Sequence, residues 1–239
     1  MIVHDETSQE TISSQSSSSS SSSSLVYLRS EEISIDTNRY SLIRQWEREK
    51  CHLLYIMLNP SSATDKKNDP TMRRCIDFAN DNGYGCMIVV NLYPLRGTNP
   101  NELNYQDIKE EDIILNDKYI ELYMRDEAVT SICLAWGCIN KKCHTRALSL
   151  LNKLHDINDT LEKKVSILCL GMTIEGFPRH PLYIKKYTKF TIFKYKEEDI
   201  RLLQNKRKVE EIERRQVKKR LKENDQIIIW GLLNLTDKY

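Results

Sequence analysis

The chain has 239 residues, enough for one well-buried domain with appendages and too few for two full cores. Its 36 Lys and Arg nearly cancel its 34 Asp and Glu, so bulk charge selects neither nucleic acid nor a membrane surface as partner. No apolar run reaches the roughly 18 residues that span a bilayer, and no basic segment with an apolar core opens the chain. An intracellular, soluble protein without membrane contact is expected. The seven cysteines are odd in number and sit largely in apolar runs, as reduced small hydrophobes do.

Residues 1–24 end in an unbroken serine run from Ser16 to Ser24. Serine homopolymer buries no apolar surface to offset chain entropy, so a disordered tail is expected there and the domain is drawn over residues 25–196. Leu25–Tyr27 is read as an edge strand and Tyr40–Trp46 as a short helix. The apolar run Leu53–Leu58 stops at Asn59-Pro60 and reads as a buried strand. Asp69-Pro70 opens a helix, with Asp69 as N-cap and Pro70 in the first turn. Met72, Cys75, Ile76, Phe78 and Ala79 give that helix one apolar face, and Gly83 ends it.

Cys86–Leu92 is a second buried strand, β-branched at its centre. Ile108–Met124 reads as an amphipathic helix, Ala128–Ala135 as a third strand, Thr145–His155 as a helix and Val165–Leu170 as a fourth strand. Phe190–Tyr195 could add a last one. Strands alternating with helices predict a three-layer α/β domain: a mostly parallel four-stranded sheet with helices on both faces. Residues 197–239 carry dense mixed charge and then the apolar Ile227–Leu233. They read as a charged helical extension, and self-association through it is expected.

Open α/β sheets bind ligands at the carboxyl ends of their strands. Those ends deliver Asn59, Asn91 and Trp136, with His180 in the loop beyond the fourth strand. Carboxamides offer donor and acceptor together, which suits a planar amide-like ring. Other chemistry is weakly signalled. Cys138, Cys143 and His144 lack a second pair at zinc-finger spacing, no Walker or Gly-x-Ser-x-Gly motif occurs, and Cys75 lies on an apolar helix face. No metal and no cofactor is expected.

Met57-Leu58-Asn59-Pro60-Ser61, Asp69-Pro70-Thr71, Arg73-Arg74-Cys75, Gly83-Tyr84-Gly85, Val90-Asn91-Leu92, Arg96, Ala135-Trp136-Gly137 and Pro178-Arg179-His180-Pro181-Leu182-Tyr183 together resemble a bacterial and viral family catalogued as domain of unknown function 1643. The likeness runs from about Arg39 to Tyr183 and implies no activity. In order and type, Asn59-Pro60, Asn91, Trp136-Gly137 and His180-Pro181 also resemble the uracil-DNA glycosylase superfamily.

That second resemblance implies that Asn59 positions an attacking water, Asn91 bonds the base edge, Phe78 or Tyr93 stacks on the ring, and His180 stabilises charge on the leaving base. Pro60, Ser61, Arg96, Trp136 and Arg179 would complete the binding set. Two departures stand out. Asn59 replaces the aspartate of the strongest glycosylases, leaving Asp65 or Asp69 to supply a carboxylate, and Leu182 replaces the serine that usually follows His-Pro.

The expected function is therefore handling of a nucleobase, nucleotide or nucleic acid, with N-glycosidic hydrolysis as the reaction. The rivals are a non-catalytic binding module that keeps the pocket, and a protein-interaction domain using Arg73, Arg74, Arg179 and the basic extension.

Overall fold

A computed structural model describes residues 25–99, 104–139 and 141–194. The serine tail and the charged extension expected from sequence lie outside the described residues. Among those described, one sheet contains β1 (Arg29–Ile35), β2 (Asn38–Gln45), β3 (His52–Met57), β4 (Cys86–Asn91), β5 (Val129–Leu134), β6 (Ser166–Cys169) and β7 (Thr191–Ile192). Three helices complete it: α1 (Pro70–Asp81), α2 (Glu110–Met124) and α3 (Lys141–Thr160).

The strand order is β1-β2-β4-β3-β5-β6-β7. β4, β3, β5 and β6 are the four strands expected from sequence, and they run parallel. The expected four-stranded, mostly parallel sheet is nevertheless incorrect: antiparallel β1 and β2 extend one side and antiparallel β7 the other, giving a mixed seven-stranded sheet.

The main reason for the difference is the expected helix Tyr40–Trp46, which through Gln45 is strand instead. A surface helix needs its polar residues in water, yet Arg39, Ser41 and Arg44 are buried here. Their backbone instead completes the ladder that β4 leaves open on that side. The first strand begins at Arg29, beyond the expected Leu25–Tyr27, and the last is reduced to Thr191–Ile192.

β3 is covered on both faces, Leu53 to Met57 being at most 5% exposed. Leu53, Tyr55 and Met57 pack under α1 with Met72, Cys75, Ile76 and Phe78. Leu54 and Ile56 face the opposite way, against Ile120 and Met124 of α2 and Leu150 and Leu154 of α3. Each such side chain contributes roughly 1.5–3 kcal/mol by leaving water, so this strand anchors both layers. α1 starts as expected: the Asp69 carboxylate accepts the Met72 N–H at 2.8 Å, and Gly83 at φ +85° takes the left-handed turn after it. α2 has Glu110, Glu111 and Asp112 in its first turn, where the helix dipole favours them. Ile114 of α2 is half exposed, whereas Asn116 is buried.

No helix among the described residues is long and apolar enough to cross a membrane. Burial also sorts the thiols. Cys51 and Cys138 are exposed, whereas Cys75, Cys86, Cys133, Cys143 and Cys169 are buried. Burial raises the Cys86 thiol to about 12 and shifts Cys75 and Cys133 upward as well. An aromatic disulfide reagent at pH 8 should titrate two thiols rapidly and the other five only after denaturation; rapid reaction of Cys75 or Cys133 would show that the α1 layer is not packed as described.

Candidate functional site

The strand order reverses between β3 and β5, where α1 leaves β3 to one face and α3 leaves β5 to the other. Crevices at such points are where open α/β sheets take ligands. The loop after β6 folds back over this point. Pro178 accepts the Gly137 N–H at 2.9 Å, and a Cβ on Gly137 would stand 3.1 Å from the Cβ of His180. Gly137 also has φ +75°, so no other residue fits as well between Trp136 and His180.

His180 is half-buried, and its Nδ1 accepts the Leu182 N–H at 3.3 Å. An accepting nitrogen carries no proton, so the neutral ring presents its N–H at Nε2. Burial pushes the imidazole below its ordinary value, and the nearby Asp69 carboxylate opposes that shift. At neutral pH His180 is a neutral donor. Asp69 serves mainly as the α1 cap, while its charge reaches both His180 and Arg39.

Asn59 is committed to the loops. Its Nδ2 donates to the carbonyls of Gly97 at 2.8 Å and Pro60 at 3.0 Å, and its Oδ1 accepts from the Tyr105 hydroxyl at 3.3 Å. Both amide protons are therefore taken, one within the β3–α1 loop and one in joining it to the segment after β4. Pro60 is buried, and its carbonyl also accepts the Gly97 N–H at 2.9 Å. Ser61 contributes its backbone carbonyl, 3.4 Å from Arg96.

The group that sequence reasoning missed is Arg39. At Tyr40, β2 carries one residue more than β1, since Ile33 pairs with Ser41 and Ser34 with Arg39. Tyr40 and Ser41 both turn to α2, reaching Asp112 and Tyr123, so Arg39 and Arg44 share the α1 face. Arg44 is satisfied by Asn68 Oδ1 and the carbonyls of Ile43 and Thr64. Arg39, 1% exposed, donates through Nη1 to the Ala63 carbonyl at 2.6 Å, while its Nε is buried without a partner. Burial, reinforced by the like charge of Arg96, lowers its pKa to about 10.

Asn91 ends β4 on the same face. It lies level with Met57 across the parallel pair, and strand alternation groups it with Met87 and Val89 beneath α1. Its side chain is buried, and Nδ2 has no partner. Trp136, also buried with an unpartnered Nε1, belongs with Ile132 and Leu134 on the α2–α3 face. The two donors that sequence order places together thus lie on opposite faces.

The remaining expected residues are dispersed. Phe78 is 1% exposed in the core, with the Arg74 guanidinium 4.6 Å above its ring. Tyr93 stacks on Tyr105 at 4.4 Å on the α2–α3 face. Arg96 pairs with Glu32 and bonds Ser34 at 3.1 Å. Arg179 is exposed, with its backbone N–H on Gly171 O at 2.9 Å. No three His, Cys, Asp or Glu side chains among the described residues come together as a metal site.

A family model described as "Protein of unknown function (DUF1643)" matches residues 39–182, more than half of the chain. The chain belongs to that family. Its matched span opens on Arg39 and runs past His180, so Arg39, Asp69, Asn91 and His180 are all elements of the DUF1643 domain. No curated protein and no solved structure matches the chain.

These roles separate by substitution. Asp69→Asn keeps a capping side chain, so the midpoint of thermal unfolding should stay nearly constant. The His180 pKa, followed by NMR, should fall further because the raising charge is gone. Asn59→Asp removes two donors and should destabilise the domain by about 1–3 kcal/mol; unchanged stability in denaturant would contradict the loop-joining role.

Proposed function

We propose that this DUF1643 domain binds a nucleobase or nucleotide at the α1-side rim of its sheet. The observation that carries the reading is the pair of buried, unpartnered donors on one face, Asn91 Nδ2 and Arg39 Nε. Unsatisfied buried donors cost about 1–3 kcal/mol each, more when charged, and a ligand carbonyl, ring nitrogen or phosphate oxygen would satisfy them. The positive end of α1 and the neutral Nε2–H of His180 favour the same acceptor-rich, partly anionic chemistry. The β3–α1 loop borders this face, its Ala63 and Thr64 carbonyls held by Arg39 and Arg44.

Hydrolysis of an N-glycosidic bond is the second reading, favoured by His180 as a donor to a departing base. It is weakened by Asn59, whose amide protons are already taken, and by Asp69, whose carboxylate caps α1. Binding therefore comes first.

Thermal shift and calorimetric titration with free bases, nucleosides and nucleotides test it. A ligand at a hundred times its dissociation constant adds about 2.7 kcal/mol, which corresponds to roughly 5–10 °C for a chain of this size. Asn91→Ala should weaken binding at least tenfold. Arg39→Met should abolish it, and because the bond to the Ala63 carbonyl is lost as well, the circular dichroism of the free variant should match wild type for the loss to count as binding. Absence of any shift across the panel, or wild-type affinity in both variants, would overturn the reading. Abasic sites formed in oligonucleotides carrying modified bases, and lost in His180→Ala, would establish hydrolysis.

A further inference from the structure

Between β6 and β7 the chain makes a strap, and the family match ends within it, at residue 182. From Gly176 to Phe193 it carries Arg179, Lys185, Lys186 and Lys189 and no carboxylate. Removing these four cations leaves 32 Lys and Arg against 34 Asp and Glu, so the rest of the chain is slightly acidic. All four are exposed, and none forms an ion pair with a described residue. Two tyrosines lie between them: Tyr183 is 79% exposed and Tyr187 71%.

The strap is pinned to α1 at both ends. Arg74 Nη2 donates to the Ile184 carbonyl at 2.5 Å, and Ile184 itself is buried beneath the strap. Lys189 Nζ reaches the Asp81 carbonyl at 3.3 Å, and Phe190 packs against Tyr55 and Tyr84. Thr188 closes a turn on the Lys185 carbonyl, with Tyr187 at φ +67° in between. The strap starts at the candidate site: the His180 and Tyr183 rings are 5.7 Å apart.

Exposed rings on a pinned backbone, interleaved with cations that have no carboxylate partner among the described residues, match the chemistry of a single nucleic-acid strand, whose phosphates alternate with unstacked bases. A duplex offers no free ring faces for the two tyrosines. We infer that the strap from Arg179 to Lys189 is a track for single-stranded nucleic acid leading to the rim at His180. This rests on the nucleobase reading for the identity of the site it feeds, and its residues are distinct from Arg39 and Asn91.

The test is fluorescence anisotropy of the full chain with a labelled deoxythymidine oligomer of about 20 nucleotides, longer than the roughly 4–16 that one such groove covers. Thymidine monophosphate and a duplex of equal length are the comparisons. The single strand should bind at least tenfold tighter than either. Tyr183→Ala with Tyr187→Ala should weaken it at least tenfold, with the circular dichroism unchanged. Lys185→Ala, Lys186→Ala and Lys189→Ala together should reduce the slope of log affinity against log salt by about 2, near 0.7 for each phosphate no longer neutralised. Oligomer binding no tighter than that of the monophosphate, or unaffected by these substitutions, overturns the track. Equal affinity for duplex, insensitive to the tyrosines, also overturns it and marks a plain cationic patch. Asn91→Ala separates the two readings. If it abolishes monophosphate binding and the oligomer gains nothing, the pocket stands and the track falls. If strap variants abolish oligomer binding while Asn91→Ala changes nothing, the track stands and the pocket falls.

Discussion

Two guanidinium groups, each 1% exposed, tie the sheet to the loop that leaves its central strand. Arg39 and Arg44 of β2 donate to the Ala63 and Thr64 carbonyls, and Arg44 also holds Asn68, which in turn bonds the Tyr27 hydroxyl at 2.8 Å. Between Ser61 and Asn68 the loop places Ala63 in the core, and polar bonds to β2 fix the path on either side of it. Its path sets where Asp69 begins α1, and α1 in turn covers the face on which Asn91 ends β4. Neutral carbonyls satisfy N–H groups without neutralising charge. Burying a guanidinium at position 39 is costly, and on the proposed reading a negatively charged ligand would offset that cost.

The bulge at Tyr40 makes this arrangement possible. One extra residue in β2 sends Tyr40 and Ser41 together to α2, where Tyr40 also stacks on Tyr119 at 5.3 Å. Without it, Arg39 would alternate onto the α2 face, away from the loop. A single register shift therefore joins both helical layers to the same edge of the sheet and brings Arg39 level with the carboxyl end of β4.

Much of the parallel core was legible because its signals are local. β3, β4, β5 and β6 are short apolar runs with turn residues after them, and Asp69-Pro70 and Gly83 bracket α1 by conformation alone. β2 was not legible: a buried arginine breaks the alternation that marks a strand, and its reason for burial is a loop some 20 to 24 residues away in sequence. The site divides in the same way. The order of Asn59, Asn91, Trp136 and His180 says which strand ends carry polar groups, yet the side of the sheet each takes follows from alternation within the strand. That periodicity parts Asn91 from Trp136. The use of Asn59 depends on Gly97 and Tyr105, 38 and 46 residues distant, which no local pattern reveals.

What remains on the α1 face is a site that donates rather than accepts. Arg39 brings full positive charge, Asn91 an amide N–H, and His180 a neutral Nε2–H. Asp69 already gives one carboxylate oxygen to the Met72 N–H. A cationic ligand would meet Arg39 and Arg96 at close range in a poorly screened environment, where like charges repel strongly. On the proposed reading, an acceptor-rich ring or phosphate would meet complementary partners from separate strands and loops. The same polarity holds along the strap, where the cations are again exposed and form no ion pair with a described residue. On the proposed reading, interior and surface would favour one kind of ligand by the same electrostatic rule, although the bonds behind it come from different elements of the fold.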